Sequence, residues 1–179
     1  MFTRRGDTGE TDTGERIRVS KGSSLIAFQG DLDMLISFVG DALVASRWDD
    51  IRGDLMAIQD QLFTVGEEIT TSAKRRTLSE DAVKWLEEKI LGYRKEVGKI
   101  RLFVVPGGSR EATSLHIART VCRNVERSLV HLSSEREFRP ELLKYMNRLS
   151  SLIFFHSLVS NRRLGIEERI WDIGREAIN

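Results

Sequence analysis

The chain is built around residues Ser114 to Leu132, which read S-L-H-I-A-R-T-V-C-R-N-V-E-R-S-L-V-H-L. Its apolar residues recur at alternating steps of three and four, which is the spacing of one face of an α-helix. This apolar stripe consists of Leu115, Ala118, Cys122, Val125, Leu129 and Leu132. The stretch therefore predicts an amphipathic helix with one side in the protein core.

The same stretch carries a second, charged face. Arg119, Arg123, Glu126 and Arg127 also recur at steps of three and four, on a different arc of the helix. Spacing alone favours a solvated face, stabilised by side-chain pairs worth about 0.3 kcal/mol each. The alternative is an anion site, because arginine stays charged and its planar fork matches phosphate oxygens.

The composition indicates a folded, helix-rich protein with one domain. Of 179 residues, 40% are hydrophobic, 31% are charged and only 2 are proline. Lys and Arg total 28 against 27 for Asp and Glu, so the net charge of +1 gives no general field for nucleic acid. The single cysteine, Cys122, excludes an intramolecular disulfide and a Cys-rich zinc site, and we expect a buried thiol. His156 lies in an apolar run and is expected to be a hydrogen-bonded core residue.

The sequence also predicts a cytoplasmic protein without a membrane partner. The longest apolar candidate for a membrane span, residues 149–159, is interrupted by serines and a histidine. The arginines near the N-terminus are not followed by an apolar block, as a secretory signal would require.

Helical periodicity recurs along the chain and gives about five helices. Their predicted starts are small polar residues, acids or proline, which commonly begin helices. These starts are Asp31 or Asp33, Asp49 or Asp50, Thr77 or Ser79, Ser109 or Thr113, and Pro140. Mostly short connections between them predict an all-α, five-helix bundle. We also consider a short C-terminal helix that begins at Ile166.

Residues 99–105, K-I-R-L-F-V-V, break the helical pattern. They are β-branched and apolar, and P-G-G at 106–108 then forces a turn. A strand here would have nothing to pair with, so we favour an extended connector whose apolar side chains pack on the bundle.

Residues 1–24 differ in character, since glycines alternate with polar and charged residues. Composition favours a disordered leader. Against this, R-R-G-D-T-G-E-T at 4–11 has glycines three apart, which permit close backbone approach to an anion, with Lys21 following as a point charge. The segment lacks the G-x-x-x-x-G-K-[ST] pattern, so it is a weak phosphate signal by itself.

Several separated motifs, taken in order, resemble the PduO-type ATP:cob(I)alamin adenosyltransferases and cover nearly the whole chain. They are T-R-R-G-D-T-G-E-T at 3–11, V-S-K at 19–21, G-D-L-D at 30–33, I-Q-D-Q-L-F at 58–63, F-V-V-P-G-G-S at 103–109, A-R-T-V-C-R-N-V-E-R at 118–127, and N-R-L-S at 147–150. Each motif alone is weak, but the ordered set is specific.

The resemblance implies one domain over residues 1–179, with a flexible ATP-binding leader over 1–24 and a helical bundle over 25–179. It implies a homotrimer with active sites between neighbouring subunits. The expected reaction transfers the 5′-deoxyadenosyl group of ATP to the cobalt of cob(I)alamin, giving adenosylcobalamin and triphosphate. Mg²⁺ is the expected metal ion, and the expected protein partners are a flavin-dependent reductase and an adenosylcobalamin-dependent enzyme.

The resemblance also implies roles for individual residues. Lys21, Arg123 and Arg127 are the expected catalytic cations. Phe103 is expected to shape the corrinoid pocket, and Asp33 and Arg119 to pair across the subunit interface. The expected ATP-binding residues are Thr3, Arg4, Gly6, Asp7, Gly9, Thr11, Lys21, Arg123, Glu126, Arg127 and Asn147. No direct protein ligand of Mg²⁺ is assigned; ATP mainly holds the ion, with Glu126 as a candidate helper.

The reduced cobalt is itself the nucleophile, so no protein nucleophile or general base is required. The protein must instead align cobalt, C5′ and the leaving oxygen, and stabilise the anionic leaving group. An apolar side chain against the lower corrin face would exclude the axial base, favour four-coordinate cobalt and ease its reduction.

The chain departs from the family pattern at several positions that are usually polar or charged differently. These are Thr8, Glu10, Met34, Ile36, Asn124 and Ser151. They leave a non-catalytic adenine-nucleotide or corrinoid carrier as the alternative function, with a structural trimer as a third possibility.

Overall fold

The computed structural model describes residues 4–71, 76–100 and 103–171. Within these ranges the chain forms five α-helices and a two-stranded antiparallel sheet. The elements in order are β1 (Glu10–Asp12), β2 (Arg18–Ser20), α1 (Ser24–Ala45), α2 (Asp49–Thr70), α3 (Asp81–Val97), α4 (Arg110–Leu132) and α5 (Pro140–Arg163). The five predicted helices are confirmed, while the small sheet makes the fold mostly helical rather than all-α.

Helix α4 lies at the centre of the bundle. It packs against α1 on one side and α5 on the other, while α5 also contacts α3 and α1 contacts α2. The whole predicted stripe from Leu115 to Leu132 is at most 2% exposed. Burying each large aliphatic side chain contributes about 2 kcal/mol, so this stripe is a main source of the packing energy.

The residues at two of the helix N-termini match the known preferences for those positions. The Ser109 hydroxyl accepts a hydrogen bond from the Ala112 amide at 3.0 Å and begins α4. Pro140 is the first residue of α5, as predicted. Helix α1, however, begins at Ser24 rather than at Asp31 or Asp33, because Phe28 is fully buried and belongs to the helical core. Gly30, Asp31 and Asp33 all lie inside this helix.

The N-terminal segment contains a β-hairpin that composition alone did not predict. Strands β1 and β2 pair with Thr11 opposite Val19. Arg18 donates to the Glu10 carboxylate at 3.0 Å and to the Arg5 carbonyl at 3.0 Å. Glu10, a departure from the family pattern, is therefore a cross-strand partner of Arg18.

The expectation that the connector before α4 has no strand partner was wrong. Val104 forms an antiparallel bridge with Ile170. The Val105 amide donates to the Arg169 carbonyl at 2.8 Å, and the Trp171 amide donates to the Phe103 carbonyl at 2.8 Å. Residues 166–171 are extended, so the tail helix considered from Ile166 is not formed within the described residues.

A buried polar cluster joins α2, α3 and α5 on the side of the bundle away from α4. Asp54 accepts from Lys89 at 2.6 Å and from the Tyr93 hydroxyl at 2.7 Å, and lies 3.3 Å from the His156 Nε2. Although burial opposes ionisation, hydrogen bonds from His156, Lys89 and Tyr93 hold the pKa of Asp54 below its ordinary value. His156 is thus the hydrogen-bonded core residue that the sequence predicted.

Cys122 is fully buried, as predicted, and burial raises the pKa of its thiol. Among the described residues, no helix combines the length and the apolar character needed to cross a membrane.

Replacing Asp54 by alanine should cost about 3–5 kcal/mol of unfolding free energy, because it removes the shared acceptor of a buried ionic cluster. Urea denaturation followed by circular dichroism measures this loss. Glu88→Ala, at an exposed position beside Lys89, is the control and should change stability by less than about 0.5 kcal/mol. Equal stability of the Asp54 and Glu88 variants would contradict this role for the cluster.

Candidate functional site

The glycine loop before the hairpin closes on Lys21. The Lys21 ammonium donates to the Gly6 carbonyl at 2.8 Å, and the Lys21 amide donates to the Gly9 carbonyl at 2.9 Å. Gly9 has φ of +80°, so this position favours glycine, and Gly6 lies directly against the end of the Lys21 side chain. The structure therefore brings Gly6, Gly9 and Lys21 together. Thr3 lies outside the described residues.

The charged face of α4 meets α5 at one polar contact. The Asn147 amide donates to the Glu126 carboxylate at 3.0 Å. Arg127 donates to the Asn124 side-chain oxygen at 2.7 Å, so Asn124 orients this guanidinium. Arg123 and Arg127 are both exposed, and each can therefore reach a bound anion.

A cavity of about 440 Å³ lies between α4, α5 and the connector before α4. One wall is basic and the other walls are largely apolar. Its lining consists of Phe103, Val104, Pro106, Arg119, Arg123, Ser150, Ser151, Phe154 and Phe155. The Phe103 side chain is 66% exposed and presents an open apolar surface there. The sequence-predicted residues Phe103, Arg119 and Arg123 thus share one cavity.

Arg119 is partly buried in this cavity, and no ion pair joins it to an acid within the described residues. Its guanidinium lies 5.7 Å from the centre of the Phe154 ring, and its buried Nε has no hydrogen-bond partner in the described part of the chain. Burial lowers the pKa of Arg119, and the nearby charge of Arg123 acts in the same direction. The site therefore contains a partly desolvated cation for which the described part of the chain shows no carboxylate partner.

Asp33, predicted to pair with Arg119 across the subunit interface, lies outside the cavity of Arg119 in its own chain. It is exposed on α1 and lines a different cavity of about 830 Å³ with residues of α2, including Phe63 and Glu67. Within residues 4–71, 76–100 and 103–171, no ion pair joins Asp33 to Arg119.

The sequence interpretation assigned no site role to the face of α5 that follows Asn147. Ser151 and Phe154 lie four and seven residues after Asn147, on the same side of the helix, and both line the cavity of Arg119 and Arg123. Their spacing from Asn147 is a sequence signal for this face, but buried core residues of a helix show the same spacing.

The described residues contain no cluster of three or more His, Cys, Asp or Glu that could hold a metal ion.

Comparison with known proteins places the chain in a family. A family model described as cobalamin adenosyltransferase matches residues 1–160. The chain is 37% identical over 172 residues to the corrinoid adenosyltransferase of Bacillus subtilis, covering 93% of this chain and 89% of that protein. It is also 37% identical over 178 residues to the cobalamin adenosyltransferase of Cupriavidus metallidurans, covering 99% and 96%.

The fold agrees with solved structures. A variant of the PduO-type ATP:corrinoid adenosyltransferase of Lactobacillus reuteri, complexed with cobalamin and ATP, is similar with a TM-score of 0.90 and 29% identity, covering 99% of this chain and 100% of that chain. The chain therefore belongs to the PduO-type cobalamin adenosyltransferase family. The resemblance inferred from the ordered motifs is confirmed.

His116 makes the region around the cavity sensitive to pH. It is 3% exposed, neither ring nitrogen has a partner in the described chain, and its ring centre lies 6.2 Å from that of Phe154. Burial, with a smaller effect of the Arg119 charge, lowers the pKa of His116 to about 4 from its ordinary 6.5. Below pH 6.5 the unfolded chain therefore binds a proton that the folded chain does not.

Unfolding free energy should thus fall as the pH decreases from 6.5 to about 4, with His116 accounting for about 3 kcal/mol of the loss. Urea denaturation at several pH values measures this. His116→Gln should flatten the profile in this window relative to the unsubstituted protein. Parallel profiles for the two proteins would contradict the assignment.

Proposed function

We propose that this protein transfers the 5′-deoxyadenosyl group of ATP to the cobalt of cob(I)alamin, releasing triphosphate. One observation carries the proposal: the cavity that holds Arg119 and Arg123 also presents the open apolar surface of Phe103. Adenosyl transfer to a corrinoid needs such a pair of surfaces, since a flat macrocycle and a polyphosphate must meet at one carbon atom. The cobalamin and ATP bound to the similar Lactobacillus reuteri protein support this assignment.

In this proposal the triphosphate lies between the glycine loop and the charged face of α4. Lys21, Arg123 and Arg127 are its cations, and loop amides complete the set of donors. The Lys21 ammonium contacts only a neutral carbonyl among its recorded hydrogen bonds, so exchange for a phosphate oxygen would gain a charge-assisted bond. The remaining proposed contacts come from Thr3, Arg4, Gly6, Asp7, Gly9, Thr11, Glu126 and Asn147.

The proposed reaction requires the protein only to position the two substrates and to stabilise the negative charge of the leaving group. The nucleophile is the reduced cobalt of the substrate, and its electron pair forms the bond to C5′ as the C5′–oxygen bond to triphosphate breaks. Cations held in advance stabilise the charge that develops on the leaving oxygen. Mg²⁺ would be held mainly by ATP, and Glu126, fixed by Asn147, is oriented to accept hydrogen bonds from the water around the ion.

Phe103 is proposed to lie against the lower face of the corrin. Its exposed ring offers no ligand to cobalt and would keep an axial base away. Four-coordinate cobalt is easier to reduce to the nucleophilic state. A flavin-dependent reductase would supply the electron, an adenosylcobalamin-dependent enzyme would receive the product, and all would work in the cytoplasm.

The uncompensated Arg119 supports a homotrimer with shared sites. A partly buried guanidinium without a carboxylate is costly, and an aspartate from a neighbouring copy would offset that cost. Asp33 is exposed and is bordered by exposed apolar side chains, among them Met34 at 41% and Phe63 at 64%. We therefore propose that Asp33 of one copy pairs with Arg119 of the next.

Arg123→Ala should fold normally but lose about 10²-fold or more in turnover, because a preorganised cation is removed from the leaving group. The measurement is anaerobic conversion of cob(I)alamin to the light-sensitive alkylcobalamin with ATP. Arg94→Ala, at an exposed position on α3, is the control and should keep its activity.

Near-unchanged turnover of Arg123→Ala would overturn the role of Arg123. Tight binding of ATP and cobalamin by the unsubstituted protein, without conversion, would instead favour the non-catalytic carrier. An increase in thermal stability with ATP would count against a purely structural trimer.

Reversing one charge of the proposed interface pair should dissociate the assembly, and reversing both should restore it. Asp33→Arg and Arg119→Asp are each expected to shift the mass measured by sedimentation from trimer toward monomer, since each places like charges together. The double variant should recover the trimer. Asp41→Arg, at another exposed position on α1, is the control, and trimers of both single variants would exclude this pairing.

A further inference from the structure

Asn161, near the end of α5, is fully buried and joins three separate segments of chain. Its side-chain oxygen accepts from the Ser109 amide at 2.9 Å, and its nitrogen donates to the Gly107 carbonyl and to the Glu168 carboxylate, both at 3.0 Å. Both N–H bonds of the amide are therefore used. Such saturation in a buried site fixes the positions of the groups that it contacts.

The turn before α4 is shaped around this side chain. A Cβ atom at Gly108 would lie 2.3 Å from the Asn161 nitrogen, and Gly108 has φ of +91°. Only glycine satisfies both conditions at once. The turn of residues 106–108 therefore fits onto Asn161.

The main chain of Asn161 fixes the other side of the same region. Its carbonyl accepts from the Leu164 amide at 3.0 Å and from the Ile166 amide at 2.9 Å, which ends α5 and turns the chain back. After that turn, residues 169–171 run antiparallel to residues 103–105. Asn161 thus anchors both segments of the bridged pair, residues 103–105 and residues 169–171.

The position of Phe103 depends on these anchors because its side chain is 66% exposed and has little packing to fix it. Its own carbonyl is held by the Trp171 amide, and the following Val105 amide is held by the Arg169 carbonyl. Asn161 does not line the cavity itself. Asn161 would therefore affect a bound ligand only by positioning the connector that contains Phe103.

We propose that Asn161 is a positioning residue that holds the Phe103 wall in place for the reduction of bound cob(II)alamin, which precedes adenosyl transfer. The inference rests on the proposed function and extends it to a residue that contacts neither substrate. Cob(II)alamin gains one electron from a reduced flavin, and the resulting cob(I)alamin attacks ATP. Displacing Phe103 would weaken exclusion of the axial ligand and leave the triphosphate contacts unchanged.

The test measures adenosylation by Asn161→Ala under two conditions. From cob(II)alamin with a reduced flavin, the rate should fall about tenfold or more, because small displacements in a preorganised site are costly. With cob(I)alamin supplied, the rate and the KM for ATP should change by no more than about twofold. Ser157→Ala, a buried position on the same helix whose hydroxyl donates to the Phe154 carbonyl within α5, is the control and should match the unsubstituted protein.

A double-mutant cycle with Phe103→Ala decides whether Asn161 acts through Phe103. Phe103→Ala alone should show the same selective loss from cob(II)alamin. Adding Asn161→Ala to it should then cause no more than about twofold further loss. Additive losses, or equal losses under both conditions, would overturn the proposal.

Amide hydrogen exchange tests the anchor without any activity. Exchange at the Val105 and Trp171 amides should be faster in Asn161→Ala than in Ser157→Ala, and unchanged exchange overturns the inference. If Asn161→Ala does not fold, Glu168→Ala removes one of the same contacts and is measured in its place. Absence of adenosylation by the unsubstituted protein would refute the proposed function, whereas activity that does not respond to Asn161 would refute only this inference.

Discussion

Helix α4 buries its apolar stripe between α1 and α5, and this packing determines where its other residues point. With Leu115, Cys122 and Leu129 fully buried, the charged arc must face the edge of the bundle. There Glu126 meets Asn147 of α5, and Arg119 and Arg123 reach the cavity beside Phe103. Packing energy thus orients groups whose own interactions are too weak to fix them.

The central helix could be predicted because its signal is local. Steps of three and four specify a helix and its buried face without knowledge of the partners. The role of the charged arc could not be decided in the same way, since a solvated face and an anion site have the same spacing. The residues that would distinguish a solvated face from an anion site are distant in sequence. Asn147 comes from another helix, and Phe103 comes from the connector. Only the resemblance of the ordered motifs indicated an anion site in advance, and that role stays a prediction.

The two strand pairings were missed for the same physical reason. A strand gains stability from its partner, and periodicity predicts neither the hairpin pair Thr11 and Val19 nor the bridge pair Val104 and Ile170. The second pair joins segments far apart in sequence, so closing the intervening loop depends on the packed helices between them. The predicted start of α1 lies too late in the sequence because Gly30 and the acids after it resemble a helix boundary. Phe28 contributes tertiary packing that outweighs this local preference.

Two of the departures from the family pattern, Glu10 and Asn124, have side-chain partners in the structure. The added charge of Glu10 is balanced by Arg18 across the hairpin, so it need not repel a phosphate. Asn124 lacks a charge but accepts from Arg127 and orients that guanidinium. Ile36 lines the cavity of Asp33, and Met34 beside Asp33 is 41% exposed, so both add apolar surface where a neighbouring subunit is proposed to pack. The charge of Glu10 and the amide of Asn124 are thus each used in a contact within this chain, so neither residue by itself argues against the proposed phosphate site.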